Sequence, residues 1–289
     1  MEDIINRGTG LLVIEVINSN PNGDPDRESD PRQRHDGRGE ISPVSFKRKV
    51  RDLVLHKQGP VWKEVSESLN INEYGKYDLL EKRDIDRQSV MKEMKESKFL
   101  EKYWDARVFG NTFLEEDLSD KIQTGVAQFT LAVSISPIRI ERMTTTKVAP
   151  VEDDKSRGMA PLGFRIVQHG VYCMPFFINA TAASKTNCTQ TDINLLLKLI
   201  PYAYTHTASY IRPQVNIRHA FFVEHKSPVG KYNDFEIIEA LTPKRIGKIE
   251  ESSTSWKDYD SEGLKTQIEE LKEKINDKTK GIRDLIQEM

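Results

Sequence analysis

Three asparagines alternate in the stretch NSNPNGDPD, which directly follows the apolar run GLLVIEVI. Asn18, Asn20 and Asn22, with Gly23 after them, have the spacing with which a calcium-binding EF-hand loop begins. The twelfth position of such a loop falls on Ser29, where the ion requires a bidentate glutamate. The residue types therefore exclude an EF-hand site. The Asn-Pro, Asn-Gly and Asp-Pro pairs instead predict a tight turn, because Asn and Gly accept positive φ.

A second group of interest is the basic run in the stretch SPVSFKRKVRD, at the start of a predicted helix. Lys47, Arg48, Lys49 and Arg51 lie within five positions, and the first acidic residue after them is Asp52. Such a density of like charge is repulsive unless anions lie nearby, and phosphate groups match the fork of an arginine. A helix N-terminus also favours anions. The run predicts phosphate binding or, as the simpler alternative, a solvated basic face.

Acidic and imidazole side chains are concentrated in the same first loop. Asp24, Asp26, His35 and Asp36 are residue types that acid–base or metal-assisted cleavage uses. The same types are frequent turn formers, and no HExxH, GxSxG, P-loop or paired Cys/His motif accompanies them. We expect no catalytic residue, no metal site and no cofactor, and we keep an aspartate of the 24–36 loop as the alternative.

The composition limits the class of protein. The 289 residues carry 43 basic and 45 acidic side chains, so the net charge of −2 predicts no partner, and any nucleic-acid binding must depend on local clusters. Two cysteines are too few for a disulfide framework or a cysteine zinc site. No apolar run reaches the length of a membrane span, and no signal segment opens the chain. We therefore expect a cytoplasmic protein with no membrane partner.

Hydrophobic patterns place these residues on strands and helices. Strands are predicted at 11–17, 126–136, 170–180 and 215–225. Helices are predicted from Pro43 to Lys57 and after a cap near Thr191. The order strand, helix, strand, strand, helix, strand is the βαββαβ signature of a ferredoxin-like α+β fold, whose antiparallel sheet is also the scaffold of the RNA recognition motif. The stretch DFEIIEAL is expected to add a fifth strand.

Two regions fall outside this pattern. Residues 137–168 are polar and irregular, yet they carry apolar side chains that a neighbouring subunit would cover or that would wedge between bases. From Glu262 to Met289, apolar residues follow a 4,3 spacing that is broken at Lys278. This spacing predicts an amphipathic helix with a coiled-coil-like seam. The helix packs either on its own domain, which is the simpler expectation, or on a partner.

The loop NSNPNGDPD and the stretch GRGEISPVSFKRKVRD together resemble the backbone subunit of type I CRISPR Cascade complexes, in the RAMP superfamily. The type I-C-like branch is the most similar. The resemblance continues through DARVFG, GVAQFTLAVSISPI, HGVYCMPFFINA and AFFVEHKSPVG, from Leu11 to about Leu241. Where members of this family often carry Asp-Arg-Ser before the last strand of the sheet, this chain reads THTASYIRP and retains Ser209 and Arg212.

The resemblance implies an architecture. A modified RNA-recognition-motif palm would occupy residues 1–250, with an inserted helical lobe at 58–110 and a thumb hairpin at 137–168. Residues 251–289 would then form a C-terminal helical tail, which the resemblance does not explain.

The resemblance also implies a function in antiviral defence, as an RNA-binding structural subunit. Copies would form a helical filament, head to tail, along CRISPR RNA and present the guide to target DNA, together with other Cascade subunits. The residues predicted to bind RNA are Asn18, Asn20, Asn22, Lys47, Arg48, Lys49, Arg51, Arg142, Lys147, Arg165 and Arg212. The residues predicted to form a base wedge in the thumb are Met143, Met159 and Leu162. The alternative is a backbone-type endoribonuclease that cuts target RNA with Asp24, Asp26 or Asp36.

Overall fold

The structure is a computed structural model that describes residues 4–82, 86–95, 99–111, 123–148 and 159–289. For residues 87, 94, 95, 145–148 and 159–162 it describes the backbone alone. The strands in this part of the chain are β1 (Gly8–Ser19), β2 (Gly23–Asp24), β3 (Asp30–Pro31), β4 (Arg38–Ile41), β5 (Gly110–Asn111), β6 (Gln123–Thr124), β7 (Ala127–Phe129), β8 (Ala132–Pro137), β9 (Ile140–Val148), β10 (Met159–Ile178), β11 (Val215–His225) and β12 (Thr279–Asp284). The helices are α1 (Pro43–Leu55), α2 (Pro60–Ser68), α3 (Arg87–Lys95), α4 (Phe99–Lys102), α5 (Trp104–Phe109), α6 (Ala180–Thr186), α7 (Gln190–Leu199), α8 (Asp234–Leu241) and α9 (Ser261–Ile275).

An eight-stranded antiparallel sheet is built around the pairing of β1 with β10, which runs from Gly8↔Ile178 to Ser19↔Val167. The order of the strands is β12-β11-β1-β10-β8-β4, and β7 and β9 also pair with β10. The chain enters α1 between β1 and β8, and α7 between β10 and β11. The predicted mixed fold with a large antiparallel sheet is confirmed, and the strand predicted at 215–225 is β11.

Both faces of the sheet are covered, as the alternating side chains of β1 show. Leu12 and Ile14 belong to the core that includes residues of α1 and α7. Leu11 and Val13 pack with residues of α8 and α9 on the opposite side, which we call the outer face. All four side chains are completely buried. Because successive side chains of a strand point to opposite faces, a strand covered on both faces needs a continuous apolar run, as residues 11–14 provide here.

The stretch DFEIIEAL forms the helix α8, so the prediction of a fifth strand there is wrong. Asn233 caps the helix by accepting a hydrogen bond from Phe235 N at 2.9 Å. Ile237 and Leu241, which are four positions apart and share one side of the helix, are both completely buried. A short apolar run is compatible with a strand or a helix. Here the N-cap and the packing on the outer face stabilise the helix.

The described residues of the predicted thumb, 137–148 and 159–168, are also more regular than the sequence indicates. β9 and the N-terminal part of β10 form an antiparallel ladder from Ile140↔Val167 to Val148↔Met159, which we call the hairpin. The predicted strand at 126–136 is divided into β7 and β8. The second predicted helix begins earlier than expected, because Thr189 and Asp192 form a capping box at the start of α7.

The C-terminal tail is helical only in its first half. Leu271 and Ile275 of α9 are buried against the outer face, so the helix packs on its own domain. From Thr279 the chain forms β12, which pairs with β11 through Phe221↔Asp284, so the predicted helix is wrong there. The seam is broken at Lys278, just before this strand, and the edge of β11 supplies the backbone partners that β12 needs. No helix in the described part of the chain is long and apolar enough to cross a membrane.

Truncation of Leu271 tests whether α9 is part of the folded domain. Leu271→Ala should lower the free energy of unfolding by about 2–5 kcal/mol, because it leaves a cavity against the outer face. Glu273→Ala, on the exposed side of α9, should change it by less than about 0.5 kcal/mol. Urea denaturation followed by circular dichroism measures both, and equal effects would show that α9 does not pack as described.

Candidate nucleic-acid interface

The asparagine-rich loop lies directly against the start of α1. Asn22 Oδ1 accepts a hydrogen bond from Ser42 N at 2.7 Å, and Asn22 Nδ2 donates to Gly23 O at 3.1 Å. Ser42 in turn is the N-cap of α1, since its hydroxyl accepts from Ser45 N at 3.2 Å. A single asparagine therefore connects the loop to the cap of the basic helix, and the two motifs form one continuous surface.

The three asparagines differ in exposure. Asn18 is exposed and has a φ of 43°, in the left-handed region that the turn chemistry predicts. Asn20 is buried, and its Nδ2 donates to Ser29 O at 2.8 Å. Asn22 is half-buried and holds the helix cap. Asn18 is thus the asparagine best placed to contact a ligand, and the other two shape the loop.

Arg51 points into the protein. It is 3% exposed, its Nε donates to Asp105 Oδ2 at 2.8 Å, and its Nη2 lies 3.0 Å from Glu81 Oε1. The guanidinium carbon lies 4.9 Å from the centroid of the Phe109 ring. The sequence suggested that Arg51 binds a phosphate group. In the structure, the carboxylates of Asp105 and Glu81 bind it instead. Arg51 is a structural residue of the interior, and we remove it from the proposed RNA contacts.

Lys47 and Arg48 remain near the surface but already have partners. Arg48 Nε lies 2.8 Å from Asp52 Oδ1, one helical turn further along α1. Lys47 Nζ lies 5.1 Å from the centroid of the Phe109 ring, and burial lowers the pKa of this lysine. Both side chains are half-buried, so they can reach a ligand only by exchanging or sharing these contacts.

Lys49 and Arg212 are distant in sequence and adjacent in the fold. Lys49 Nζ donates to Thr207 O at 3.3 Å, and Arg212 Nε donates to Asn20 O at 2.9 Å. Burial lowers the pKa of Lys49, and the charge of Arg212 lowers it further. Within the described ranges neither side chain forms a salt bridge, since both bind carbonyl oxygens. Two neighbouring cations without a carboxylate partner form a site that a phosphate group would neutralise.

The two predicted arginines of the hairpin face the acids of the first loop. Arg142 and Arg165 are cross-strand partners at its base. Arg142 Nε donates to both carboxylate oxygens of Asp30 at 3.1 Å, and this bonding holds the pKa of Asp30 below its usual value. Arg165 Nη1 donates to Glu28 O at 2.6 Å. These contacts attach the hairpin to the loop and leave both arginines largely neutralised.

Three predicted residues of the hairpin are described by their backbone alone. Lys147, Met159 and Leu162 lie on its paired strands, and their side chains are outside the described part of the structure. Their predicted contacts with RNA therefore stay predictions.

An aromatic pair that the sequence reasoning missed lies close to Arg212. The ring centroids of Phe164 and Tyr210 are 4.8 Å apart, and Tyr210 is 65% exposed. Met143 is the cross-strand partner of Phe164 and is 44% exposed, so it lies on the same side of the hairpin. Exposed aromatic and thioether groups beside cations form a surface on which a base can stack. The signal in the sequence was the tyrosine of THTASYIRP, two positions before the arginine.

Comparison with known proteins identifies the family. The sequence profile of CRISPR-associated protein Cas7 matches residues 6–263. The chain belongs to the Cas7 family. A solved chain described as "CRISPR RNA-guided surveillance complex, pre-nicking" is 16% identical and has a TM-score of 0.54, with 92% of this chain and 89% of that chain covered, which shows a shared fold. Another, "CRISPR RNA-guided surveillance complex", is 15% identical over 91% of this chain and 84% of that chain, with a TM-score of 0.44. No curated protein matches.

Membership of the Cas7 family confirms the resemblance to the Cascade backbone family on which the sequence-based function rested. The match spans the loop, α1, the hairpin and the segment before β11, which carry the cation pair and the aromatic pair. It ends at residue 263, so most of α9 and all of β12 lie beyond it. The tail that the resemblance did not explain is therefore an addition to the part of the fold that the family profile describes.

The aspartates of the nuclease alternative lie in separate contacts. Asp24 Oδ1 accepts from Asp26 N at 3.2 Å and lies 3.7 Å from Arg32. Asp36 accepts from Arg38 N at 3.0 Å and from Arg38 Nε at 2.8 Å. In the described ranges, no three His, Cys, Asp or Glu side chains are grouped so that they could hold a metal ion. The arrangement is that of turn-forming and ion-paired acids.

Removal of the carboxylate beside Arg51 tests its structural role. Asp105→Ala leaves a buried guanidinium without its closest partner and should lower the free energy of unfolding by about 3–5 kcal/mol. Asp52→Ala, which removes the surface partner of Arg48, should cost less than about 1 kcal/mol. Urea denaturation measures the free energy of unfolding of both variants. A small effect of Asp105→Ala would return Arg51 to the candidates for RNA binding.

Proposed function

We propose that this chain is a non-enzymatic backbone subunit that binds CRISPR RNA in a surveillance complex of the type I, I-C-like class. The observation that carries the proposal is the cation pair Lys49 and Arg212, which has no salt bridge within the described residues and lies where the loop, α1 and the segment before β11 meet. Membership of the Cas7 family supports it. The partners would be CRISPR RNA, further copies of the chain and the other subunits of the complex.

The chemistry of this site suits a ligand whose sequence varies. Lys49 and Arg212 would hold phosphates of the guide, an electrostatic contribution that does not depend on base identity. Asn18 would add a hydrogen bond to a sugar or phosphate oxygen from its exposed position at the end of β1. Discrimination between sequences is then left to base pairing between the guide and target DNA.

The arrangement of the central strands supports a modified RNA-recognition-motif palm. β11, β1, β10 and β8 lie side by side, which is the order 4-1-3-2 of the βαββαβ series. An ordinary RNA recognition motif binds RNA on the sheet face that its helices leave open. Here α8 and α9 cover that face, where Leu11 and Val13 are buried. We infer that RNA is bound beyond the strand ends, along the loop and α1.

The base of the hairpin supplies the apolar groups that such a subunit would place between bases. Met143 and Tyr210 are both exposed and both neighbour Phe164, Met143 as its cross-strand partner and Tyr210 through its ring, and Tyr210 lies two residues before Arg212. A base displaced from the guide would stack on Tyr210 while its phosphate lies on Arg212. Met143 keeps its predicted role in this proposal, and Tyr210 joins it.

Assembly along RNA follows from the same arrangement. A subunit that binds any stretch of guide by its backbone can bind successive stretches, and a head-to-tail contact between copies gives an open helical filament. The guide bases between displaced positions would then be presented in segments to the target strand.

Charge reversal at the cation pair tests the binding site. The double variant Lys49→Glu, Arg212→Glu should abolish binding of single-stranded RNA at moderate salt, because it replaces two phosphate contacts with repulsion. Lys49→Ala alone should weaken binding and reduce the slope of log K against log salt by about 0.7, as expected for the loss of one contact to a single strand. Fluorescence anisotropy across a salt series measures both effects.

The matched control is Lys265→Glu, Lys272→Glu, which reverses two exposed charges on α9 far from the loop. It should bind RNA like the unmodified chain. The unmodified chain should also form multimers whose mass increases with RNA length, and the double variant at the cation pair should not. Unchanged RNA binding by that variant would refute the assignment of the site.

The nuclease alternative makes a separate prediction. The chain assembled with a guide, then incubated with complementary RNA and magnesium, should leave that RNA intact, because Asp24 and Asp36 are engaged in turn and ion-pair contacts and the described residues include no cluster of acids that could hold a metal ion. Denaturing gels of end-labelled RNA read out the result. Metal-dependent cuts at regular spacing that disappear in Asp24→Ala, Asp26→Ala or Asp36→Ala would establish the enzyme instead.

A further inference from the structure

The segment between α8 and α9, residues 242–260, crosses the outer face of the sheet and has no role in the function proposed above. We call it the strap. Ser253 is 5% exposed and Tyr259 is 2% exposed, although neither belongs to a helix or strand of the sheet. Tyr259 packs in the outer core with Leu11 and Val171. The polar groups of a loop segment that is buried to this extent must form hydrogen bonds, and the partners of these bonds indicate the function of the strap.

The strap is stiffened by its own hydrogen bonds. Arg245 Nη1 donates to Asp258 O at 2.8 Å, and its guanidinium carbon lies 5.7 Å from the centroid of the Tyr259 ring. The carboxylate of Asp258 accepts from Thr254 N at 2.7 Å and from Ser255 N at 3.3 Å. These bonds hold the two arms of the strap together. Tyr259 and Ser253 are therefore presented to the sheet in a defined position.

The buried hydroxyls of the strap contact the two residues between which the hairpin leaves the sheet. Tyr259 Oη lies 3.2 Å from Ser136 Oγ and donates to Ser253 Oγ at 3.0 Å. Ser253 Oγ lies 2.8 Å from His169 Nδ1. Ser136 is at the end of β8, just before the hairpin, and His169 lies on β10, just after it. The strap thus bridges the incoming and outgoing strands of the hairpin.

The chain of hydrogen bonds continues from β10 to its neighbour β1, the strand that leads into the asparagine-rich loop. His169 Nε2 lies 3.1 Å from Glu15 Oε1, and Arg218 Nε donates to Glu15 Oε2 at 2.6 Å. Burial raises the pKa of Glu15, but the bonds from His169 and Arg218 outweigh it and hold the pKa below its usual value. Glu15 lies three residues before Asn18. One hydrogen-bonded chain therefore connects the strap, the base of the hairpin and the base of the loop.

The donors and acceptors of this chain agree in direction. With Nε2–H of His169 donating to Glu15, Nδ1 is free to accept from Ser253, which accepts from Tyr259, which accepts from Ser136. The hydroxyls of Tyr259 and Ser253 then each donate one hydrogen bond and accept another, and the hydroxyl of Ser136 donates one. Removal of one hydroxyl interrupts the connection at a known point.

We propose that the strap is a positioning element for the hairpin, with Tyr259 and Ser253 as positioning residues that set its direction relative to the asparagine-rich loop. The role of the hairpin in displacing guide bases rests on the proposed function, whereas the mechanical coupling does not. The strap would thus fix the distance between the phosphate site and the stacking site.

Hydrogen–deuterium exchange of the variant Tyr259→Phe tests the coupling. The substitution keeps the ring in the core and removes only the hydroxyl. Amides in peptides covering 138–144 and 163–168 should exchange roughly three- to tenfold faster, the factor that one or two lost hydrogen bonds produce. Exchange in β1 and β11 should stay unchanged, which distinguishes positioning of the hairpin from general stabilisation of the sheet.

Two further variants complete this test. Tyr204→Phe is the matched control, because its buried hydroxyl has no hydrogen-bond partner in the described part of the chain, and it should leave exchange of the hairpin unchanged. Ser136→Ala should reproduce the effect of Tyr259→Phe, and the double variant should add nothing, because both remove the same bond. Unchanged exchange in the hairpin of Tyr259→Phe, or a uniform increase over the whole sheet, would overturn the proposal.

Binding of RNA supplies an independent readout. Tyr259→Phe should bind guide RNA within about twofold of the unmodified chain, since it leaves the cation pair intact, and should alter the pattern of guide bases that react with a chemical probe. An unaltered pattern would overturn the role of the strap in placing the hairpin. If the unmodified chain binds no RNA, the proposed function fails, and the exchange experiment alone still decides whether the strap positions the hairpin.

Discussion

The pairing of β1 with β10 is the interaction on which the other features of this protein depend. β10 is 20 residues long, and its C-terminal part pairs with β1 while its N-terminal part continues beyond the sheet as one side of the hairpin. The same ladder ends at Ser19, where the asparagine-rich loop begins. Loop and hairpin are thus built on neighbouring strands of one rigid unit. A slip of one residue in this register would exchange the two faces of β1 and would separate the buried Glu15 from His169 and Arg218, so this polar contact specifies the register.

Charge compensation within the chain determines which basic residues remain for a ligand. Arg51 is neutralised by Asp105, and Arg142 by Asp30, so both serve the architecture. Lys49 and Arg212 bind carbonyl oxygens, and neither forms a salt bridge in the described part of the chain. Because the net charge of the chain is close to zero, it can bind an anion only where positive charge locally exceeds negative charge. The few contacts made there then determine how strongly RNA affinity depends on salt concentration. The ion pairs of Arg142 and Arg165 attach the loop to the hairpin, and the ion pair of Arg51 attaches α1 to α5.

The covering of the outer face explains how the fold differs from an open RNA-recognition sheet. α8, the strap and α9 occupy the side on which such sheets usually bind RNA, and β12 extends the sheet beside β11. The polar chain from Tyr259 to Glu15 lies inside this layer and reaches the strand ends, where the candidate interface is located. The C-terminal part of the protein therefore acts at a distance on the loop and the hairpin. Transmission from the strap to the hairpin requires that each buried hydroxyl of this chain form a hydrogen bond, because an unsatisfied buried hydroxyl would destabilise the layer.

The sequence by itself determined what depends on neighbours in the chain. Alternating β-branched and aromatic residues defined β11, turn chemistry defined the loop, and the loop joined to the basic helix identified the family. Tertiary structure alone decided the rest. The stretch DFEIIEAL became a helix because a cap and the outer face were available, and the end of the tail became a strand because β11 had a free edge. The partner of Arg51 is 54 positions away, and Lys49 meets Arg212 only in the folded chain. Periodicity and propensity are short-range, whereas the charge that a side chain retains depends on residues that folding brings beside it.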